Sequence, residues 1–117
     1  MVLGASTKPE RYSNIAIRML REYDHPVVAI GLREGSVGGV QIDTDLASID
    51  APIDTVTLYV SARRQEPYMD WILSASPRRV IFNPGTENDA FARQLQEAGI
   101  QPVFACTLVM LRTNQYD

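Results

Sequence analysis

The residues whose types and spacing suggest chemistry lie near the front of the chain, in Gly4-Ala5-Ser6-Thr7-Lys8-Pro9-Glu10-Arg11-Tyr12-Ser13-Asn14. Gly4 and Ala5 are small enough for a ligand backbone to come close. Ser6, Thr7 and Ser13 supply hydroxyls, and Lys8 and Arg11 supply positive charge. The free N–H groups of a helix that starts just beyond would attract phosphate. The segment reads as a pyrophosphate cradle, and the same small residues also suit an ordinary βα loop. It is not the dinucleotide fingerprint, because the G-x-G-x-x-G spacing is absent, and no Gly-Lys-Ser/Thr follows to make a Walker loop.

A second candidate is Gly31-Leu32-Arg33-Glu34, at the end of the second expected strand. NAD-binding domains place Asp or Glu there for the ribose hydroxyls. Arg33 favours a phosphorylated ribose, as in CoA or NADP, and Glu34 is the counter-candidate for plain NAD. Both also make sense as solvated loop charges. A third candidate, Asn83-Pro84-Gly85-Thr86-Glu87, joins a strand to a helix. It suits the wall of a ligand crevice and equally a tight turn built on Pro and Gly. His25 is the only histidine, stands beside Pro26 and has no triad partner. One His and one Cys share no metal-ligand spacing. Asp43, Asp45, Asp50 and Asp54 read as caps and loop residues, and Trp71 as packing. The sequence offers no catalytic apparatus.

The elements that must position these residues alternate between strand and helix, which implies βαβ units and a parallel sheet. Strands are expected at Val2–Gly4, Val27–Ile30, Val40–Ile42, Thr55–Val60, Arg79–Phe82 and Pro102–Ala105. A helix is expected over Asn14–Tyr23, capped by Ser13, with Ala16, Met19, Leu20 and Tyr23 on one face. Gly31–Gly39 reads as a flexible loop, and Thr44 as the cap of a short helical stretch, Asp45–Ile49. The next helix starts near Gln65, because Pro67 is tolerated only in a first turn. Tyr68, Ile72 and Ala75 then face the sheet. Thr86 to Asp89 resembles a capping box for a helix with Phe91, Leu95 and Ala98 inside and Gly99 as its stop. Thr107–Leu111 makes a last apolar turn or helix.

Six such strands imply a three-layer α/β Rossmann-like fold, mostly parallel, in the order 3-2-1-4-5-6 with a short third edge strand. Ligands of open α/β sheets bind beyond the carboxyl ends of the strands where that order reverses. Residues Gly4–Asn14, Gly31–Glu34, Val60–Arg64, Asn83–Thr86 and Cys106 would then border one crevice.

Length and composition fit this frame. The 117 residues make one ordinary domain, 45% hydrophobic and 21% charged, which excludes a disordered chain. The net charge of −3 gives no basic surplus for nucleic acid. No apolar run approaches the roughly 18 residues of a membrane span. One cysteine excludes an intramolecular disulfide, and no basic leader precedes an apolar run, so the expected location is cytoplasmic. A homodimer through the apolar C-terminal segment is an assembly the sequence allows.

Gly4-Ala5-Ser6, Pro9-Glu10-Arg11-Tyr12-Ser13-Asn14, Tyr59-Val60, Arg79 to Glu87 and Cys106 to Arg112, in this order, resemble the small stand-alone CoA-binding proteins. That family is similar to the N-terminal CoA-binding domain of the succinyl-CoA synthetase alpha subunit. The resemblance spans nearly the whole chain. It implies a Rossmann-like domain holding CoA or acyl-CoA without catalysis of its own. Gly4, Ala5 and Ser6 with Arg11, Tyr12, Ser13 and Asn14 would take the phosphates. Arg33, beside Gly31, would meet the adenosine phosphate. Tyr59, Val60 and Ser61 would border the adenine and the mouth of the pantetheine channel, and Asn83, Pro84 and Gly85 the pantetheine arm. Cys106 would lie where a CoA thiol could form a mixed disulfide with it under oxidising conditions, or be an inert small hydrophobe. The chain departs from the family where Gly31-Leu32-Arg33 replaces Asn-Pro-Lys, where Ser61 replaces a common Pro, and where Ser13 replaces a frequent Gly. The synthetase's phosphohistidine lies in a second domain, so ligase activity is not implied. An NADP-binding oxidoreductase-like module and a ligand-free scaffold are the alternatives.

Overall fold

A computed structural model describes residues 1–117. Seven strands form one sheet: β1 (Val2–Ala5), β2 (Ala29–Gly31), β3 (Gly35–Val37), β4 (Val40–Asp43), β5 (Thr55–Leu58), β6 (Arg79–Phe82) and β7 (Gln101–Phe104). Their spatial order is β3-β4-β2-β1-β5-β6-β7. Every neighbouring pair is parallel except β3 with β4. The expected six-strand order is present, and the reversal falls between β1 and β5. The sheet carries one strand more than expected. Gly35–Val37 pairs antiparallel with β4 inside the stretch read as a flexible loop, so β4 is an interior strand and not the edge.

Successive side chains of a strand point to opposite faces, and β1 separates its apolar residues this way. Leu3 joins Ile30, Leu58 and Phe82 on one face, under α2 (Glu66–Ala75) and α3 (Asp89–Glu97), which contribute Ile72, Phe91 and Leu95. Val2 joins Ala29 and Ile42 on the other, under α1 (Tyr12–Glu22) and α4 (Thr107–Arg112), which contribute Ile17, Leu20 and Leu111. Burial of each of the larger of these side chains stabilises the fold by about 1.5–3 kcal/mol.

Helix ends differ in detail from the sequence expectation. The first helix begins at Tyr12, with Arg11 in the N-cap place and no side-chain cap, so Ser13 is a buried first-turn residue. Ile17 takes the inward place expected for Tyr23, which is exposed. In α3, Ala92 is buried and Ala98 is exposed. Its cap is Asn88, whose side chain accepts from Phe91 N–H at 3.1 Å, while the Thr86 hydroxyl turns back to Asn83 O at 2.8 Å. Asp45, not Thr44, caps a single 3₁₀ turn, Leu46–Ser48. Pro67 does sit in the first turn of α2. His25 lies at the amino end of β2, bonded to Asp117 at 3.1 Å and edge-on to Tyr116, away from the strand carboxyl ends.

Candidate functional site

The carboxyl ends of β1, β2, β5 and β6 bring the sequence-predicted residues to one edge of the sheet. Gly4 has φ of 98°, and a Cβ there would lie 2.8 Å from Tyr59 O, so glycine is needed both for the backbone turn and for the approach of β5. Gly31, at the end of β2, lies against the backbone of Ala5 in the same way. The loops after these strands are therefore close neighbours.

The first loop is fastened from below. Asn14 Nδ2 donates to Ser6 O at 2.9 Å, and Arg18 Nε donates to Asn14 Oδ1 at 2.8 Å. Arg18 Nη2 reaches Pro9 O at 3.0 Å. Lys8 N–H donates to Ser6 Oγ, and Arg11 N–H to Lys8 O. Asn14 N–H and Ile15 N–H both use Arg11 O. The N–H groups of Tyr12 and Ser13 have no acceptor in the chain, as first-turn donors commonly do not. The helix dipole adds partial positive charge at this point, and the exposed Lys8 and Arg11 add full charges. The arrangement can hold an anion.

Leu32 and Arg33 project from the end of β2, and Leu32 is 82% exposed, the most exposed large hydrophobic residue of the chain. Arg33 is exposed. Tyr59 meets Gly4 with its backbone, while its ring packs against the core on the α1 and α4 side. Its hydroxyl is buried without a hydrogen-bond partner. Burial pushes its pKa up to about 12, with the nearby Thr107 and Thr57 hydroxyls acting in the opposite direction. Val60 is half-buried, and Ser61 is exposed before the 3₁₀ turn Ala62–Arg64, which presents Arg63 and Arg64 to solvent.

Asn83 is 2% exposed and its amide is fully engaged. Nδ2 donates to Thr57 Oγ1 at 2.7 Å and to Leu58 O at 2.8 Å, and Oδ1 accepts from Thr107 N–H at 2.9 Å. It therefore ties β5, β6 and α4 together below the exposed Pro84 and Gly85. Those two residues occupy the centre of a turn closed by Thr86 N–H on Asn83 O, so the tight-turn reading of this segment also holds. Cys106 is half-buried at the N-cap of α4.

Sequence reasoning missed two residues that organise this edge, Arg18 and Gln65. Arg18 stands four residues after Asn14, a spacing that places both on one helix face. Gln65 bonds to partners with no regular spacing. Two hollows lie elsewhere. One of 460 Å³ is lined by Arg21, Val28, Gln41 and Asp50 among others, and one of 270 Å³ by Trp71, Ser74 and Ala75 among others. Each takes its helical lining from the last turns of a helix, the dipole end that disfavours phosphate. No group of three or more His, Cys, Asp or Glu residues is placed to hold a metal. No helix is long and apolar enough to cross a membrane.

The sequence model of the CoA binding domain matches residues 1–112. The chain belongs to that family. Among solved structures, the chain is similar to an uncharacterized protein at 41% identity and a TM-score of 0.93, over 98% of this chain and 94% of the other. It is similar to a hypothetical protein from Pyrococcus horikoshii OT3 at 25% identity and a TM-score of 0.86, over 99% and 82%. A dinucleotide-forming acetyl-coenzyme A synthetase 1 from Ca. Korarchaeum cryptofilum shares the fold, at 16% identity and a TM-score of 0.73. There the match covers 89% of this chain and 25% of that one. Among curated proteins, none matches the sequence.

Proposed function

We propose that this CoA binding domain family member holds coenzyme A or an acyl-CoA across the carboxyl ends of β1, β2, β5 and β6, as a cytoplasmic binding module with no catalysis of its own. The observation that carries the reading is the open first turn of α1. Two N–H groups without acceptors stand beside Lys8 and Arg11, at the strand-order reversal of a domain matched over residues 1–112. Gly4, Ala5, Ser6, Arg11, Tyr12 and Ser13 take the pyrophosphate, and Asn14 holds their loop. Gly31 gives the chain room beside Ala5, and Arg33 meets the ribose phosphate. Tyr59, Val60 and Ser61 border the adenine and the mouth of the pantetheine channel. Pro84 and Gly85 line the arm, with Asn83 fixing their turn. The donor set fits the group: unpaired N–H groups and cations for phosphates, and an exposed Leu32 beside Arg33 for an apolar ring.

The test is a thermal-unfolding screen against CoA, acetyl-CoA, NADP and NAD at matched concentrations. A ligand present at about a hundred times its dissociation constant stabilises the fold by roughly 2.7 kcal/mol, enough for a shift of several degrees. Selective stabilisation by CoA species is the expected result. Stabilisation by NADP alone replaces the reading with a redox role, and no shift with any of the four replaces it with a scaffold.

A further inference from the structure

Gln65 is a neutral amide at 1% exposure between the turns that follow β5 and β6. Its Nε2 donates to Val60 O at 2.9 Å and to Thr86 O at 2.7 Å, and Asn88 Nδ2 donates to its Oε1 at 3.0 Å. Both donors and the acceptor are used. The partners belong to the turn after β5, the turn after β6 and the cap of α3. The side chain makes no capping bond to its own helix, α2. Burial of an amide costs free energy unless it is paired, and an apolar residue of the same length would also leave the Val60 and Thr86 carbonyls without this donor. What the amide adds is geometry, because its two N–H groups lie in one plane at a fixed angle and so hold two carbonyls at a fixed separation. Asn88 fixes which way the amide faces, since its own Oδ1 is committed to Phe91 N–H.

We propose that Gln65 is a positioning residue that sets the gap between the Val60–Ser61 wall and the Pro84–Gly85 wall, and through that gap the affinity for the pantetheine arm. The inference rests on the CoA reading above. Gln65 is buried and acts only through the two walls. Among the other polar groups at this edge, Asn83 ties the end of β6 to β5 and α4 below the two walls, and Asn14 with Arg18 holds the first loop; only Gln65 bonds to the turns themselves on both sides.

The test compares CoA with adenosine 3′,5′-bisphosphate, which keeps the adenosine end and lacks pantetheine, by titration calorimetry on the full chain. Gln65→Met keeps the length of the side chain and removes both donors. Asn88→Asp keeps the cap on Phe91 and removes the donor that orients Gln65, so it serves if Gln65→Met fails to fold. Gln65→Met is expected to weaken CoA about tenfold and to leave the bisphosphate within about twofold, with Asn88→Asp acting in the same direction. Amide exchange should speed up around Ser61 and Gly85 and stay unchanged in β1 and β2. Equal losses for both ligands, or no loss for either, overturn the role of Gln65. A wild-type chain that binds neither ligand overturns the CoA reading itself, and the role of Gln65 in it.

Discussion

Gly31 lies so close to Ala5 that a methyl group on its Cα would stand 2.4 Å from the Ala5 carbonyl oxygen. The register between β1 and β2 shifts at the same place, where Leu3 pairs with Ile30 but Ala5 pairs with Gly31. The clash would be with backbone, which cannot rotate away as a side chain tip can. Gly31→Ala is therefore expected to destabilise the fold by about 2 kcal/mol or more, through overpacking at a site that cannot relax. Urea unfolding measures it. A loss below about 0.5 kcal/mol would mean that the strand ends separate easily, and that the contact does not fix the loops above them.

Arg33 is exposed and the structure gives it no hydrogen bond or ion pair, so its charge is available to a ligand. Arg33→Ala is expected to weaken CoA while leaving dephospho-CoA, which lacks the ribose phosphate, nearly unaffected. A well-made charge-assisted contact is worth about 1.5–3 kcal/mol, roughly ten- to a hundredfold in affinity. Direct titration with both ligands decides it, and equal losses would remove Arg33 from the phosphate site.

The buried, unpaired hydroxyl of Tyr59 gives an alkaline signature. Its pKa is pushed up to about 12 by burial, against about 10 for a free tyrosine. The folded chain thus prefers the neutral phenol. The stability this contributes is fully present below pH 10 and is lost as pH rises from about 10 through 12, because the unfolded chain ionises first. Tyr59→Phe should remove that part of the alkaline loss. At neutral pH it should cost little or stabilise slightly, since the hydroxyl has no partner to abandon. Unfolding of both proteins between pH 8 and about pH 12 gives the comparison. Parallel curves would mean that the phenol ionises freely in the folded chain.

The strand order was legible because the buried strands carry runs such as Thr55–Leu58 and Arg79–Phe82, and short apolar runs alternate with helical patterns. The edge strand β3 was not, because Gly35-Ser36-Val37 holds only one buried apolar residue. The signal lay in the turn that follows. Gly38 and Gly39 both take positive φ, 54° and 80°, in the two-residue loop that joins the strands of a hairpin, flanked by Val37 and Val40. The phosphate loop was legible because its parts are contiguous in sequence. Asn83 was legible as part of the site, but its complete engagement with Thr57, Leu58 and Thr107 depends on partners some two dozen residues away. Gln65 depends on Thr86 at a separation of 21 residues, and no local pattern announces such a bond.

Arg18 gives the cleanest separation between holding a phosphate loop and touching the phosphate. It reaches Pro9 O and Asn14 Oδ1 from the second turn of α1, and Asn14 in turn holds Ser6 O. Its removal would free the loop on both sides of Lys8 while leaving Lys8, Arg11 and the N–H groups of Tyr12 and Ser13 in the chain. The pyrophosphate is common to CoA and dephospho-CoA, so Arg18→Ala is expected to weaken both alike, by about tenfold, in contrast to Arg33→Ala. The fold should lose no more than about 1–2 kcal/mol, since both bonds are to partly or fully exposed groups. If the affinities are unchanged, the first loop holds its shape without this support, and the cradle is organised by Asn14 alone.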